Sequence, residues 1–261
     1  MQTAGRTVFL PAPSPPIALS AAFIVLVAVL VLVVLWWVNG PANFRSRTWR
    51  VAIPLLTWLS LSGVAAATGA LANFEAVPPA VAWVILPAVI TIFVVAFRPS
   101  TGPALDRVPG DALIAFQIFR VAMELILWRL ARAGVIPASM TFEGRNYDIV
   151  VGLTAPFIAW LYARRMVSPG PVIFWNVFGI VVLANVVLIG FLSAPTRFRQ
   201  YFEGPPNEMI AHFPFVWLVA FVVPLAFLGH FLSIRQLLRT IKMERAPRGS
   251  QHLSRSSELH S

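Results

Sequence analysis

Cysteine is absent from the chain, and lysine occurs once, at Lys242. The first absence excludes disulfides, thiol catalysis, iron–sulfur clusters and thiolate zinc sites. The second excludes a retinal Schiff base, which needs a lysine amine inside a bundle, because Lys242 lies beyond the last apolar run. Charge is scarce as well. Only 11% of the 261 residues are Asp, Glu, Lys or Arg, against about a quarter in soluble domains. Acidic residues are the rarer kind, 10 against 20 basic ones, for a formal net charge of +10. Of the few histidines, His212 and His230 alone lie in or near apolar runs, and at opposite ends of one of them, so no cross-helix haem pair is available. The chain also lacks a nucleophile elbow, a phosphate loop and a His-Glu-x-x-His motif, and no cofactor is expected.

What the chain does have is apolar sequence: 58% of it is hydrophobic and the mean hydropathy is +0.79. That composition excludes disorder, a collagenous repeat and a nucleic-acid module, and it points to a membrane-embedded protein. A backbone in lipid must satisfy its own polar groups, so each long apolar run reads as a helix. The runs are Ile17–Val38, Val51–Leu71, Val77–Phe97, Asp111–Ala133, Asp148–Ala163 (short and broken by Pro156), Pro171–Ser193 and Phe213–Ile234. The first is longer than the roughly 7–15 residues of a signal-peptide core. It ends in Trp36-Trp37, an interfacial anchor rather than a small-residue cleavage site. The expected fold class is therefore all-α, a polytopic bundle of seven transmembrane helices.

Basic residues set the orientation. With the amino terminus outside, the cytoplasmic segments receive Arg45, Arg47, Arg50, Arg98, Arg107, Arg164, Arg165 and the basic tail, which is most of the 20. The outer side keeps Arg6, Arg129, Arg132, Arg145, Arg197 and Arg199. Residues 1–16 then form an extracytoplasmic segment, 17–234 the membrane domain, and 235–261 a basic cytoplasmic tail, disordered toward its end. The expected location is the cytoplasmic (inner) membrane. Anionic lipid headgroups are the expected partners of the tail. Nucleic acid is not expected, since no aromatic or glycine-rich binding module accompanies the basic residues.

The fourth run cannot face lipid all round. Gln117, Arg120 and Glu124 fall within about 60° on a helical wheel, and Trp128 continues the stripe. An arginine at mid-depth costs at least about 2.5 kcal/mol unless paired or hydrated. Glu124, four residues on, is placed to pair with it. Such a stripe reads either as a neutralised pair that fixes helix packing or as the lining of a cavity. In the second run Ser62, Ala66 and Ala70, with Gly63 and Ala67 beside them, allow close helix packing.

Between the fourth and fifth runs, Glu143, Arg145, Asn146 and Asp148 form a dense polar rim on the outer side. Asp148, at the start of the fifth run, is placed to cap that helix. The segment Phe142-Glu143-Gly144-Arg145-Asn146-Tyr147-Asp148, followed by Gly152-Leu153-Thr154-Ala155-Pro156, resembles a stretch of uncharacterised bacterial multi-pass membrane proteins. That resemblance implies a multi-pass architecture and carries no activity with it. The connection Ala194–His212 is long, and its alternation of Arg197, Arg199 and Glu203 with Phe198, Tyr201 and Phe202 predicts a short helix in the headgroup layer. Glu208 and His212, four apart, could join Glu143 and Asp148 in a metal site only weakly, and none is expected. Asn185 is the deeper of the two asparagines in the sixth run and the expected cavity residue, with Asn176 on the opposite side. His230 reads as a hydrated interfacial residue.

These residues predict a protein that binds or transports a small anionic solute or lipid headgroup through an outward-facing polar cavity. Gln117, Arg120 and Glu124 form its floor, Glu143, Arg145, Asn146 and Asp148 its gate, and Asn185 and His212 flank it. The alternatives are an interfacial enzyme acting on a lipid or polyprenyl substrate, with Glu143, Asp148 and His212 as acid–base groups, and a structural or assembly subunit of a membrane complex. The oligomeric state is not legible.

Overall fold

The computed structural model describes residues 13–39 and 44–245; the expectations for residues 1–12 and for the end of the tail from 246 onward lie outside the described residues. Within them the chain is all-helical, with no strand. The helices are α1 (Ile17–Asn39), α2 (Phe44–Ala67), α3 (Ala82–Phe97), the single turn α4 (Gly102–Leu105), α5 (Gly110–Ala115), α6 (Phe119–Arg132), α7 (Asp148–Ala163), α8 (Pro169–Ser193) and α9 (Val223–Arg245). A 3-10 turn, Phe116–Ile118, joins α5 to α6 without a break, and a π-helical stretch, Leu218–Val222, runs directly into α9. Each apolar run of the sequence thus becomes one rod.

Four of the rods are long and apolar enough to cross a membrane: Ile17–Val38, Thr48–Ala67, Pro169–Ser193 and Leu218–Glu244. The helices α3 and α7 are apolar but have only 16 residues, about 24 Å of rise. Contrary to the expectation that Pro156 breaks the fifth run, α7 is continuous through it. Apolar helices tolerate proline where neighbouring helices absorb the freed carbonyl.

The longest rod is the centre of the bundle. In its apolar window 56% of residues are buried, against 22% in α1 and in α2. α9 packs on α3, α5 and α8, while α7 sits against α5, α6 and α8, and α1 against α2 and α6. Phe23 and Leu30 of α1 meet Leu130 of α6 and Phe215 in one apolar core. Ile114, Val151, Ala155, Val172 and Leu237 form a second core between α5, α7, α8 and α9.

Both long connections on the α6–α7 side send part of their length inward, while Phe198 and Phe202 of the second stay exposed. Val135, Ile136, Met140, Thr141 and Asn146 of the first are buried. Its turn closes through the Arg145 N–H, which donates to the Ser139 carbonyl at 3.1 Å. Only glycine fits at 144, since a Cβ there would stand 2.4 Å from the Ala138 carbonyl oxygen. In the second connection, Asn207 donates from its backbone to the Ser193 carbonyl at 2.9 Å and from its side chain to the Gly190 carbonyl at 3.1 Å. The helix expected over 197–203 does not form. Arg199 instead folds back onto the carbonyls of Tyr201 and Gly204, at 2.9 and 3.1 Å, which holds the segment as a turn.

At the opposite end α9 continues past Ile234 and clamps the 98–108 connection. Arg235 donates to the Ala96 carbonyl at 2.7 Å and Gln236 to the Val108 carbonyl at 2.8 Å, and Arg239 pairs with Asp106 at 2.8 Å.

Two indoles tie α2 to the irregular start of the central rod. Pro224 has no N–H to offer the Ala220 carbonyl one turn before it, and the Trp58 indole N–H donates to that oxygen at 3.1 Å. In return the Trp217 indole donates to the Leu59 carbonyl at 2.8 Å, its ring lying over Gly63. Of the small-residue stripe, Ser62 and Ala66 are buried here, whereas Ala70 is exposed. Trp58→Phe is expected to destabilise the protein by about 1–2 kcal/mol, the cost of one orphaned buried carbonyl. Pro224→Ala restores a backbone N–H, so it should recover most of that loss in the Trp58→Phe background and little in the wild type. Unfolding midpoints of the four proteins in detergent measure this coupling; equal effects of Pro224→Ala in both backgrounds would contradict it.

Candidate functional site

Arg120 is 1% exposed at the heart of the bundle. Its Nε donates to Asp148 Oδ2 at 2.7 Å and its Nη2 to Asp148 Oδ1, a two-pronged ion pair between α6 and α7. Its Nη1 donates to His230 Nε2 of α9 at 2.8 Å. The pairing expected within α6, Arg120 with Glu124, is therefore replaced by a cross-helix pair. A carboxylate arriving from another helix can meet both prongs of a guanidinium in its plane, which strengthens the contact. Asp148 reaches that depth because the connection before it folds into the bundle.

Asp148 does not cap α7 with its side chain, as the sequence led one to expect. Asn146 does the equivalent work: its Oδ1 accepts the Asp148 N–H at 2.9 Å, while its Nδ2 donates to the Met140 carbonyl at 3.0 Å and to Glu124 Oε1 at 2.7 Å. One short segment thus supplies both the counter-ion for Arg120 and the amide that holds Glu124.

His230 departs furthest from expectation. It is fully buried, not hydrated, because the central rod carries it into contact with α6 and α8. An arginine can only donate, so Nε2 must accept and the proton of the neutral ring sits on Nδ1. Nδ1 donates to Asn176 Oδ1 at 2.9 Å, and Asn176 Nδ2 passes the chain on to Ser233 Oγ at 3.1 Å and to the Val172 carbonyl at 2.9 Å. Asn176, not Asn185, is the inward asparagine of α8. The ring lies directly on the α8 backbone at Gly179, where a Cβ would be 2.4 Å from His230 Cε1.

Gln117 and Glu124 are buried on either side of Arg120, and each has one unmatched oxygen. Gln117 Nε2 donates to the Ala226 carbonyl at 3.2 Å, but its Oε1 meets no donor. Glu124 Oε2 is likewise buried without a partner, and so is the Trp128 indole N–H one turn further along α6. The result is a continuous polar seam through Glu124, Asn146, Asp148, Arg120, His230, Asn176 and Ser233, flanked by unmatched groups at Gln117 before α6 and at Trp128 within it.

The remaining site residues lie apart from this seam. Glu143 and Arg145 are exposed, Arg145 standing over the Tyr201 ring at 5.1 Å. Asn185 donates to the Arg145 carbonyl at 2.9 Å and so anchors the connection instead of lining a cavity. His212 is exposed. Among the described residues no group of three His, Asp or Glu side chains could hold a metal ion. The proposed acid–base trio of Glu143, Asp148 and His212 is divided, since Asp148 alone turns inward. Sequence reasoning missed His230, Asn176 and Ser233 as one group. Their signal was three polar residues in apolar rods, but only the register between α8 and α9 makes them neighbours.

The two carboxyls beside Arg120 should respond unequally to neutralisation. Asp148→Asn leaves a buried guanidinium without its counter-ion, and is expected to cost about 3–5 kcal/mol. Glu124→Gln keeps volume and the Asn146 contact, and is expected to stay within about 1 kcal/mol of wild type. Unfolding of the purified variants in mixed micelles distinguishes them; the reverse order would restore Glu124 as the partner of Arg120.

Neither the curated proteins nor the solved structures give a match to this chain. A family described as Domain of unknown function (DUF8737) matches residues 77–238, more than half of the 261-residue chain. The match begins just before α3 and ends within α9, so it contains the entire polar seam and leaves out α1 and α2. The chain belongs to the family Domain of unknown function (DUF8737).

Proposed function

We propose that this is a seven-span protein of the cytoplasmic membrane, amino terminus outside and carboxyl terminus inside, that takes up a small cation or a proton in the core of its bundle. Four long apolar rods and the character of their outward faces support the membrane reading. Val25 and Leu32 of α1 and Phe174 and Val181 of α8 are exposed with no charged residues among them, where a helix in water would present a polar face. The shorter α3 and α7 fit a bilayer that thins locally to meet them. The inward fold of the 133–147 connection keeps its polar backbone away from lipid. Arg98, Arg107, Arg164, Arg165, Arg235 and Arg239 mark the cytoplasmic end. Anionic lipid headgroups are the proposed partners of the basic residues beyond Ile234.

One observation carries the class of ligand: Glu124 Oε2 is buried and unpartnered beside a guanidinium that Asp148 already neutralises. Three of the five guanidinium N–H groups donate to the protein and Asp148 balances the charge, so no net positive charge remains there to hold an anion. The expected anionic solute or lipid headgroup therefore has less support than a cation or a proton, which the second carboxyl can take.

Two measurements test these statements. Because the chain has no cysteine, single cysteines report topology without background. Cysteine at Glu143 or Glu203 should react with a membrane-impermeant maleimide in intact spheroplasts, and cysteine at Arg107 or Met166 only after lysis; the opposite pattern would invert the orientation. For the core, unfolding midpoints of wild type and Glu124→Gln are compared across sodium, potassium, lithium and ammonium chlorides and across pH. A ligand that binds only the folded state raises the midpoint with its activity. The wild-type midpoint should therefore rise, relative to the variant, with one of these cations or as pH falls. Parallel behaviour of the two proteins under every condition would end the proposal.

A further inference from the structure

The polar seam carries one guanidinium, Arg120, and two carboxyls, Asp148 and Glu124. Asp148 occupies two prongs of Arg120, so Glu124 is the surplus acid. Its Oε1 accepts from Asn146 at 2.7 Å and its Oε2 meets nothing, in a residue 1% exposed. The groups facing it are few. Arg120 shares its helix, Asp148 comes from α7 through Asn146, and His230 comes from α9 through Arg120. α1, packed against α6, has no titratable side chain, and Glu143 and Arg145 of the neighbouring connection are exposed.

The unmatched groups on either side of Glu124 add a direction. Gln117 Oε1 lies two turns before it and the Trp128 indole N–H one turn after it, both buried without a partner. Acceptor, carboxyl and donor thus follow one another along the rod that the Phe116–Ile118 turn and α6 form, over about 16 Å of helix rise, roughly half the hydrocarbon thickness of a bilayer. Buried unmatched groups of this kind are satisfied by internal water, which needs two to four polar partners. A metal cation needs a shell of several oxygens, and one spare carboxylate oxygen does not form one. A single proton needs only that oxygen.

We propose that Glu124 carries a proton across the bundle, handed on by waters held along the Gln117–Trp128 stretch of that rod. Deepening the core-binding reading above, this names its ligand. On the Trp128 side a hydronium in the water file gives its proton to Glu124 Oε2 and becomes water, and the carboxylate becomes a carboxyl. On the Gln117 side the carboxyl gives the proton to the next water and the carboxylate returns. Nothing is oxidised or reduced, and the transmembrane proton gradient drives the transfer. The Arg120–Asp148 pair stays closed throughout and keeps the second carboxylate out of the exchange.

The test uses the full chain in vesicles of three parts phosphatidylethanolamine to one part phosphatidylglycerol, with a trapped pH dye and a potassium–valinomycin potential, inside negative. Wild type should acidify the lumen several-fold faster than protein-free vesicles. Glu124→Gln should fall to the protein-free rate, Glu124→Asp should retain part of the wild-type rate, and Trp128→Phe should lower it several-fold. A wild-type rate equal to that of empty vesicles, or a Glu124→Gln rate equal to wild type, would overturn the inference. If Glu124→Gln fails to fold, infrared difference spectra of wild type between acid and alkaline buffer decide: a carboxyl band that Glu124→Asp shifts supports the carrier, and its absence refutes it. A Glu124-dependent effect of salt or pH on the midpoint without proton flux would sink this inference and leave the core-binding reading standing; loss of both would remove both.

Discussion

The rest of the bundle is organised around one buried ion pair, Arg120 with Asp148. A guanidinium away from water is tolerated only where its charge and its donors are met, and here the counter-ion lies on a different helix. The pair therefore fixes where α7 begins relative to α6. It requires the connection before α7 to fold inward, and it leaves Nη1 to be satisfied by His230. From that requirement the position of α9 follows, and from His230 that of Asn176 and α8. Isolated buried pairs are weak evidence of stability; this one works as a specification of register.

Close backbone approach makes the specification possible. Gly152 of α7 lies where a Cβ would be 2.8 Å from Val121, beside Arg120; Gly179 lies under His230; and Gly229 has Gln117 Nε2 at 2.6 Å from its virtual Cβ. Three helices thus each offer a glycine to one of the polar side chains. In the membrane proposed above there would be little hydrophobic gain in bringing helices together, so contact between small residues and hydrogen bonds across helices would carry more of the packing.

Much of the architecture was legible because hydropathy and helix length speak directly. Each apolar run became a rod, and the amphipathic stripe of Gln117, Arg120 and Glu124 announced a buried face. What failed was pairing and register. Spacing of four favoured Glu124 for Arg120, but nothing in a sequence says that residue 148 will return to the level of residue 120. Asn176 was set aside for Asn185 on depth alone, although which face of α8 turns inward is decided by its neighbours. The segment around Arg197 and Phe202 alternated as a surface helix would, yet Arg199 found backbone carbonyls closer to hand. Local patterns described the elements, and long-range hydrogen bonds decided the site.

The π-helical stretch at Leu218–Val222 sets the angular phase of everything after it. A π turn holds one residue more than an α turn, and each residue of an α-helix rotates the chain by about 100°. A regular helix through the same stretch would hold Trp217 on α2 and yet turn His230 and Ser233 away from α6 and α8. Arg235 and Gln236 would leave the 98–108 connection in the same rotation. A single irregular turn near one end of the rod thereby meshes the polar seam in its middle with the clamp at its far end, as one tooth sets the timing of a shaft.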